Sequence, residues 1–126
     1  MGSRVLVVDD HPPMVRLVED ALAKEGYAVD SASNGAECLE KLRANPPDLL
    51  ILDLIMPVLN GMEALRQLRQ DAQAKKVPVI VLSARRDPHD MVDGWMSGAD
   101  LYLTKPCNMK DLVKAVKHLL PAPPRH

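Results

Sequence analysis

Short apolar runs that alternate with helix-like segments constrain the fold of this chain more than any other feature. Each of four runs is followed directly by residues that can bind a metal or a phosphate. These runs lie at 4–8, 48–52, 77–82 and 101–104, and the residues after them are Asp9-Asp10, Asp53, Ser83 and Lys105. Alternating strands and helices predict an α/β fold, a parallel sheet with helices on both faces. The carboxyl ends of such strands share one edge, where we expect three carboxylates, a hydroxyl and an ammonium to converge.

The segments between the runs space their apolar residues three and four apart, as helices do. They predict five helices, at about 12–25, 36–44, 61–72, 88–97 and 108–119. A weaker run at 27–31 predicts a strand near an edge of the sheet.

The ends of the predicted helices carry their own signals. Pro12 or Pro13 suits the first turn of the first helix, Gly26 suits its end, and Asn60 suits an N-cap of the third. The length of 126 residues is that of one domain, which we expect over 1–120. The proline-containing segment 121–126 is a tail or the start of a linker, and both a stand-alone domain and a piece of a longer chain remain open.

Composition excludes several classes of protein. The net charge of −1 does not indicate a nucleic-acid surface, and no apolar stretch approaches the ~18 residues that span a bilayer. Cys38 and Cys107 form neither a C-x-x-C motif nor a zinc pattern, which is typical of reduced thiols inside a cell. We expect a cytoplasmic protein without membrane contact.

Three carboxylates at one edge predict a bound cation. Two carboxylates about 5 Å apart repel by roughly 3 kcal/mol at an effective dielectric near 20. Oxygen ligands favour a hard divalent ion, and Mg²⁺ fits best. Alone, Asp9-Asp10 could merely cap a turn between a strand and a helix. With a hydroxyl and an ammonium nearby, the set suits phosphoryl transfer, and Asp53 is the best candidate to become an aspartyl phosphate.

These motifs resemble the receiver domains of bacterial two-component response regulators. They are Asp9-Asp10, Asp53-x-x-Met56-Pro57-x-x-Asn60-Gly61, Ser83-Ala84 and Lys105-Pro106, in that order over about 4–120. The resemblance implies a five-stranded, doubly wound, flavodoxin-like sheet of order 2-1-3-4-5 with five helices. It also implies a signalling switch rather than an enzyme. Such a switch takes a phosphoryl group from a sensor histidine kinase or phosphotransfer protein and assists its own Mg²⁺-dependent phosphoryl transfer and autodephosphorylation.

The resemblance assigns roles at the metal site. Asp53 accepts the phosphoryl group, and Asp10 and Asp53 hold Mg²⁺ through their side chains. Asp9 assists, through water, and Ile55 contributes its backbone carbonyl.

The resemblance also assigns a switch. Lys105 pairs with a phosphoryl oxygen, the Ser83 hydroxyl moves to the phosphate, and Tyr102 turns inward as it does so. The face built by the fourth helix, the fifth strand and the fifth helix then changes and contacts an output domain or protein. A phosphorylation-dependent homodimer is compatible with this face. Leu101 and Ala115 replace charged residues that winged-helix members use for one such dimer, so we do not expect that dimer.

Three other functions compete with this one. An aspartate-nucleophile hydrolase needs an acid where Ile55 stands. A flavin or nucleotide module needs a phosphate loop rich in Gly, Ser or Thr after the first strand, where 9–13 is Asp-Asp-His-Pro-Pro. The third is a degenerate receiver that acts as a phosphorylation-independent protein-binding module.

Overall fold

The computed structural model describes residues 3–53, 61–71, 76–83, 99–104 and 108–120. The elements are β1 Arg4–Val8, α1 Pro12–Ala23, β2 Ala28–Ala32, α2 Gly35–Ala44, β3 Leu49–Leu52, α3 Gly61–Gln70, β4 Val79–Ser83, β5 Leu101–Thr104 and α4 Met109–Leu119. The predicted helix at 88–97 and the predicted N-cap Asn60 lie outside the described residues, so α4 is the helix predicted at 108–119.

The five strands form one parallel sheet in the order β2-β1-β3-β4-β5, which confirms the predicted fold class and strand order. All four residues of β3 are buried, as expected for a central strand covered on both faces. The weak second strand lies at an edge, as predicted.

The core lies on both faces of the sheet because successive strand residues point to opposite sides. On one face, Val5 and Val7 pack with Val18 and Leu22 of α1 and with Leu112 of α4. The other face packs against α2 and α3 through the buried side chains of Leu6, Val8, Leu39, Leu42, Leu65 and Leu68. Each face of the sheet therefore carries two of the described helices.

Several boundaries differ from the prediction for local reasons. Helix α1 ends at Ala23 rather than near 25, and Gly26 follows with a φ of 92° that suits glycine. Tyr27 precedes β2 instead of starting it, because its N–H donates to Leu22 O at 3.2 Å in the turn after α1. Strand β4 starts at Val79 rather than at 77.

Side-chain caps begin two of the helices. Asn34 Oδ1 accepts a hydrogen bond from Glu37 N at 2.8 Å, and Asn108 Oδ1 accepts one from Asp111 N at the same distance. Helix α1 instead begins with proline in its first turn, as predicted. Among the described helices, none has the length and apolar character needed to cross a membrane.

Candidate functional site

Three carboxylates meet where β1 and β3 end. The two strands pair in parallel with Val8 opposite Leu52, so the residues that follow them leave the sheet side by side. Asp53 N donates to Val8 O at 2.9 Å, and Asp9 N donates to Ala32 O of β2 at 3.1 Å. One carboxylate oxygen from each of Asp9, Asp10 and Asp53 lies within 4.8 Å of the others. The predicted convergence of the three acids is therefore present.

The three carboxylates differ in exposure. Asp9 and Asp53 are each only 6% exposed, whereas Asp10 is exposed to solvent. Asp9 Oδ1 accepts a hydrogen bond from His11 N at 2.9 Å, which ties this carboxylate to the start of α1. At 4.8 Å and an effective dielectric near 20, two full negative charges repel by about 3 kcal/mol. A hard divalent cation fits this donor set because its charge removes that repulsion.

A groove of about 280 Å³ runs from Asp9 and Asp10 between the first two turns of α1 on one side and the end of β2 and the start of α2 on the other. Its sides carry Arg16, Glu19 and Glu37. The acid pair therefore opens toward solvent on this side and is reachable from outside.

The other predicted site residues are only partly described. Ser83 is the last residue of β4 and pairs with Thr104, which places the ends of β4 and β5 at the same edge as the acids. Tyr102 lies in β5 opposite Val81 and is buried at 8% exposure, in the core on the α2 and α3 side. Lys105, which follows Thr104 in the chain, and Ile55 lie outside the described residues.

A contact at the opposite edge of the sheet was not predicted. Asp100 Oδ2 accepts hydrogen bonds from Val79 N at 2.7 Å and from the Arg69 guanidinium at 3.0 Å. Arg69 also donates to Val77 O at 2.7 Å. These bonds join the end of α3 to the starts of β4 and β5, and so help to position the two strands whose other ends reach the acidic edge. The only sequence signal was an aspartate directly before an apolar run.

The family model for the response regulator receiver domain matches residues 5–117. This chain belongs to the response regulator receiver family. PilH of Pseudomonas aeruginosa is 37% identical over 118 residues, which cover 94% of this chain and 98% of PilH. The alkaline phosphatase synthesis transcriptional regulatory protein PhoP of Bacillus subtilis is 40% identical over 120 residues, which cover 95% of this chain but 49% of PhoP. The chain thus spans about half the length of PhoP.

A solved receiver domain matches the fold closely. The receiver domain of the sensor histidine kinase PA1611 from Pseudomonas aeruginosa superposes with a TM-score of 0.87 at 27% identity, covering 94% of this chain and 98% of that one. Its crystal structure has a magnesium ion coordinated in the active site cleft. The chain is therefore a receiver domain with an acidic pocket compatible with Mg²⁺.

Proposed function

We propose that this receiver domain is a phosphorylation-dependent switch that accepts a phosphoryl group on Asp53. The donor is a sensor histidine kinase or a phosphotransfer protein, and the reaction needs Mg²⁺. The observation that carries the proposal is the cluster of three carboxylates, two of them buried, at the ends of adjacent central strands.

Asp53 suits the acceptor role better than its two neighbours. Asp9 and Asp10 follow β1, whereas Asp53 follows β3, the middle strand of the sheet, whose four residues are all buried. Asp10 is in addition exposed, so its charge is solvated. The backbone of Asp53 is held by the hydrogen bond to Val8 O, which directs its side chain from the end of a buried strand. A carboxylate oxygen of Asp53 forms the new bond to phosphorus while the bond between phosphorus and the donor nitrogen breaks, leaving an aspartyl phosphate.

The donor set fits a resident Mg²⁺. We infer that Asp10 and Asp53 hold it by side chains, with Asp9 assisting through water and the Ile55 carbonyl as a further ligand. Mg²⁺ bound there supplies positive charge that neutralises the carboxylates and the oxygens of the transferred group. The magnesium ion in the PA1611 receiver domain supports this assignment.

The response to phosphorylation is assigned to the ends of β4 and β5. A phosphoryl group brings a charge of about −1.5 to −2 and new acceptor oxygens. The Ser83 hydroxyl and the Lys105 ammonium then move toward it, and the buried Tyr102 side chain changes its packing as they do. These groups contact the phosphoryl group only in the state in which they have moved toward it. Phosphorylation therefore shifts a two-state equilibrium toward that state. The surface that changes is the predicted 88–97 helix with β5 and α4.

Receiver domains of response regulators interact with histidine kinases and output domains. For this chain we propose that residues 1–120 are the receiver, that 121–126 begin a linker or a tail, and that the changed surface contacts an output domain or protein. A phosphorylation-dependent homodimer is part of the same proposal, but it is not the winged-helix dimer whose charged residues Leu101 and Ala115 replace.

The phospho-acceptor role is tested with acetyl phosphate and Mg²⁺ followed by mapping of the modified residue. Wild type gains one phosphoryl group and Asp53→Asn gains none, whereas Asp20→Asn, an exposed acid of α1, is labelled like wild type. Labelling of Asp53→Asn to the wild-type level contradicts the assignment. An unlabelled wild type that is folded contradicts the function and leaves the phosphorylation-independent binding module.

The role of Lys105 is tested separately. Lys105→Ala should bind Mg²⁺ largely as wild type does but lose the phosphorylation-induced chemical shift changes in α4. Wild-type shift changes in this variant would show that another group couples the phosphate to that surface.

A further inference from the structure

A second groove, of about 510 Å³, lies between α1 and α4 on the sheet face opposite α2 and α3. Its apolar lining comes from Ala21 of α1 and from Met109 and Val113 of α4. All three are half-buried, so apolar surface stays open to solvent between the two helices. The groove shares no lining residue with the acidic site.

The rim of this groove is positively charged. Lys24 borders it on α1, and Lys110 and Lys114 border it on α4. All three lysines are exposed, and none forms an ion pair with any residue in the described part of the chain. Glu25 also lines the groove, but it is paired with Lys117. The rim therefore presents three ammonium groups that form no ion pair with the described residues.

The apolar strip extends along α1 beyond the groove. Leu17 lies one helical turn before Ala21 on the same side of α1, toward the edge with the acids. It is 55% exposed and is the one large hydrophobic side chain that is exposed in the described part of the chain. An exposed leucine continuous with an apolar groove indicates a contact surface more than an isolated exposed leucine does.

We propose that the groove between α1 and α4 binds an acidic amphipathic helix from a partner protein. The apolar stripe of that helix covers Ala21 and Val113, as in other helix-in-groove complexes. Lys110 and Lys114 are one turn apart, about 6 Å along the axis. Carboxylates at positions i and i+4 of the partner helix face this pair, and a carboxylate on its other flank faces Lys24.

A second copy of this chain is a poor occupant by the same reasoning. A two-fold interface buries the same lysine-rimmed patch of both copies, so it would bring six lysines of one sign into one interface. Charge complementarity favours an acidic partner instead. The proposal does not require phosphorylation of Asp53, and its test uses the unphosphorylated domain.

The test uses two synthetic helical peptides with the same leucine stripe, one with Glu and one with Lys at the flanking positions. Each is titrated into the ¹⁵N-labelled domain. The Glu peptide should bind saturably and shift the amide signals of Ala21 and Val113, and added salt should weaken it because rim charges are screened. Equal binding of the Lys peptide, or shifts confined to other surfaces, overturns the proposal, as does no binding by the Glu peptide at millimolar concentration.

Reversing the charge of two rim lysines tests whether the rim contacts the peptide. The double variant Lys110→Glu/Lys114→Glu should weaken Glu-peptide binding by roughly tenfold or more, because each exposed ion pair contributes roughly two- to fivefold. Lys76→Glu, an exposed lysine outside the groove, should change it less than twofold. Equal effects of the two replacements overturn the proposal. Two further outcomes also overturn it: binding to anionic phospholipid vesicles without binding to the Glu peptide, and self-association of the domain that covers Ala21 and Val113.

Discussion

Removal of one buried charge should make this domain more stable when no divalent cation is present. Asp9 and Asp53 are each 6% exposed, and their nearest carboxylate oxygens lie within 4.8 Å. Two full charges at that separation repel by about 3 kcal/mol at an effective dielectric near 20. Solvent and neighbouring positive groups screen part of this. We therefore expect Asp53→Asn to raise the free energy of unfolding by about 1 to 2 kcal/mol.

The substitution isolates the charge. Asparagine has nearly the same shape as aspartate, and the backbone N–H that donates to Val8 O is retained. The hydrophobic packing of β3 ends at Leu52, so it is unchanged. The control is Asp20→Asn, which removes an exposed acid of α1 outside the cluster and should change stability by less than about 0.5 kcal/mol.

Urea unfolding in EDTA and in Mg²⁺ provides the measurement. A cation at ten times its dissociation constant stabilises the folded state by about 1.4 kcal/mol, and wild type should gain this amount. Asp53→Asn should gain much less because it lacks one charged ligand, so its advantage in EDTA shrinks or disappears in Mg²⁺. If Asp53→Asn is no more stable than wild type in EDTA, and Mg²⁺ stabilises both equally, the electrostatic reasoning is wrong.

Three further predictions follow from groups outside the acidic site. Burial raises the pKa of the Cys38 thiol to about 12. In a Cys107→Ser variant, Cys38 should therefore react with a thiol reagent at pH 8 only as fast as the protein opens. Immediate labelling would contradict the burial of Cys38. Partial burial raises the pKa of Asp30, but hydrogen bonds and charge, chiefly from Lys41, outweigh this and leave the pKa low. Asp30 therefore stabilises the folded state at pH values above the unfolded carboxyl pKa, by less than about 1 kcal/mol because the pair is exposed, and this stability is lost as the pH falls through the folded pKa. Lys41→Met should raise the Asp30 pKa in an NMR titration. Tyr27→Phe removes a 3.0 Å hydrogen bond to the carbonyl after α4 and should cost about 1 kcal/mol in urea unfolding; an unchanged midpoint would show that the bond contributes nothing.

The sheet and its order could be predicted because central parallel strands are buried on both faces and appear as continuous apolar runs. The position of Tyr27 could not be predicted. It depends on the hydrogen bond from the Tyr27 N–H to Leu22 O and on the hydrogen bond from the Tyr27 hydroxyl to Leu120 O. The second of these joins residues 93 positions apart. No local pattern contains that information.

The sequence predicts which three acids meet at this edge of the sheet, but not which of them are buried. Parallel topology brings Asp9, Asp10 and Asp53 to one edge whatever their neighbours are. Which member of the Asp9-Asp10 pair is buried depends on the last hydrogen bond of β1, from Asp9 N to Ala32 O, and on the Asp9 contact with His11 N. The contact between Arg69 and Asp100 joins residues 31 positions apart, so no local sequence pattern predicts it.

The same backbone bonds support our proposal that the response to phosphorylation lies at the ends of β4 and β5 rather than in β1 and β3. Asp53 N donates to Val8 O of β1 and Asp9 N donates to Ala32 O of β2, so the backbones of the two acids cannot move apart without breaking hydrogen bonds of the sheet. A phosphoryl group would add a charge of about −1.5 to −2 at a position whose backbone is held by the sheet. Only groups that can approach the new charge gain energy from it. The ends of β4 and β5 reach the same edge, with Ser83 opposite Thr104. In the proposed switch, the groups that respond to phosphorylation therefore lie beside the fixed acids, at the ends of β4 and β5, and not among them.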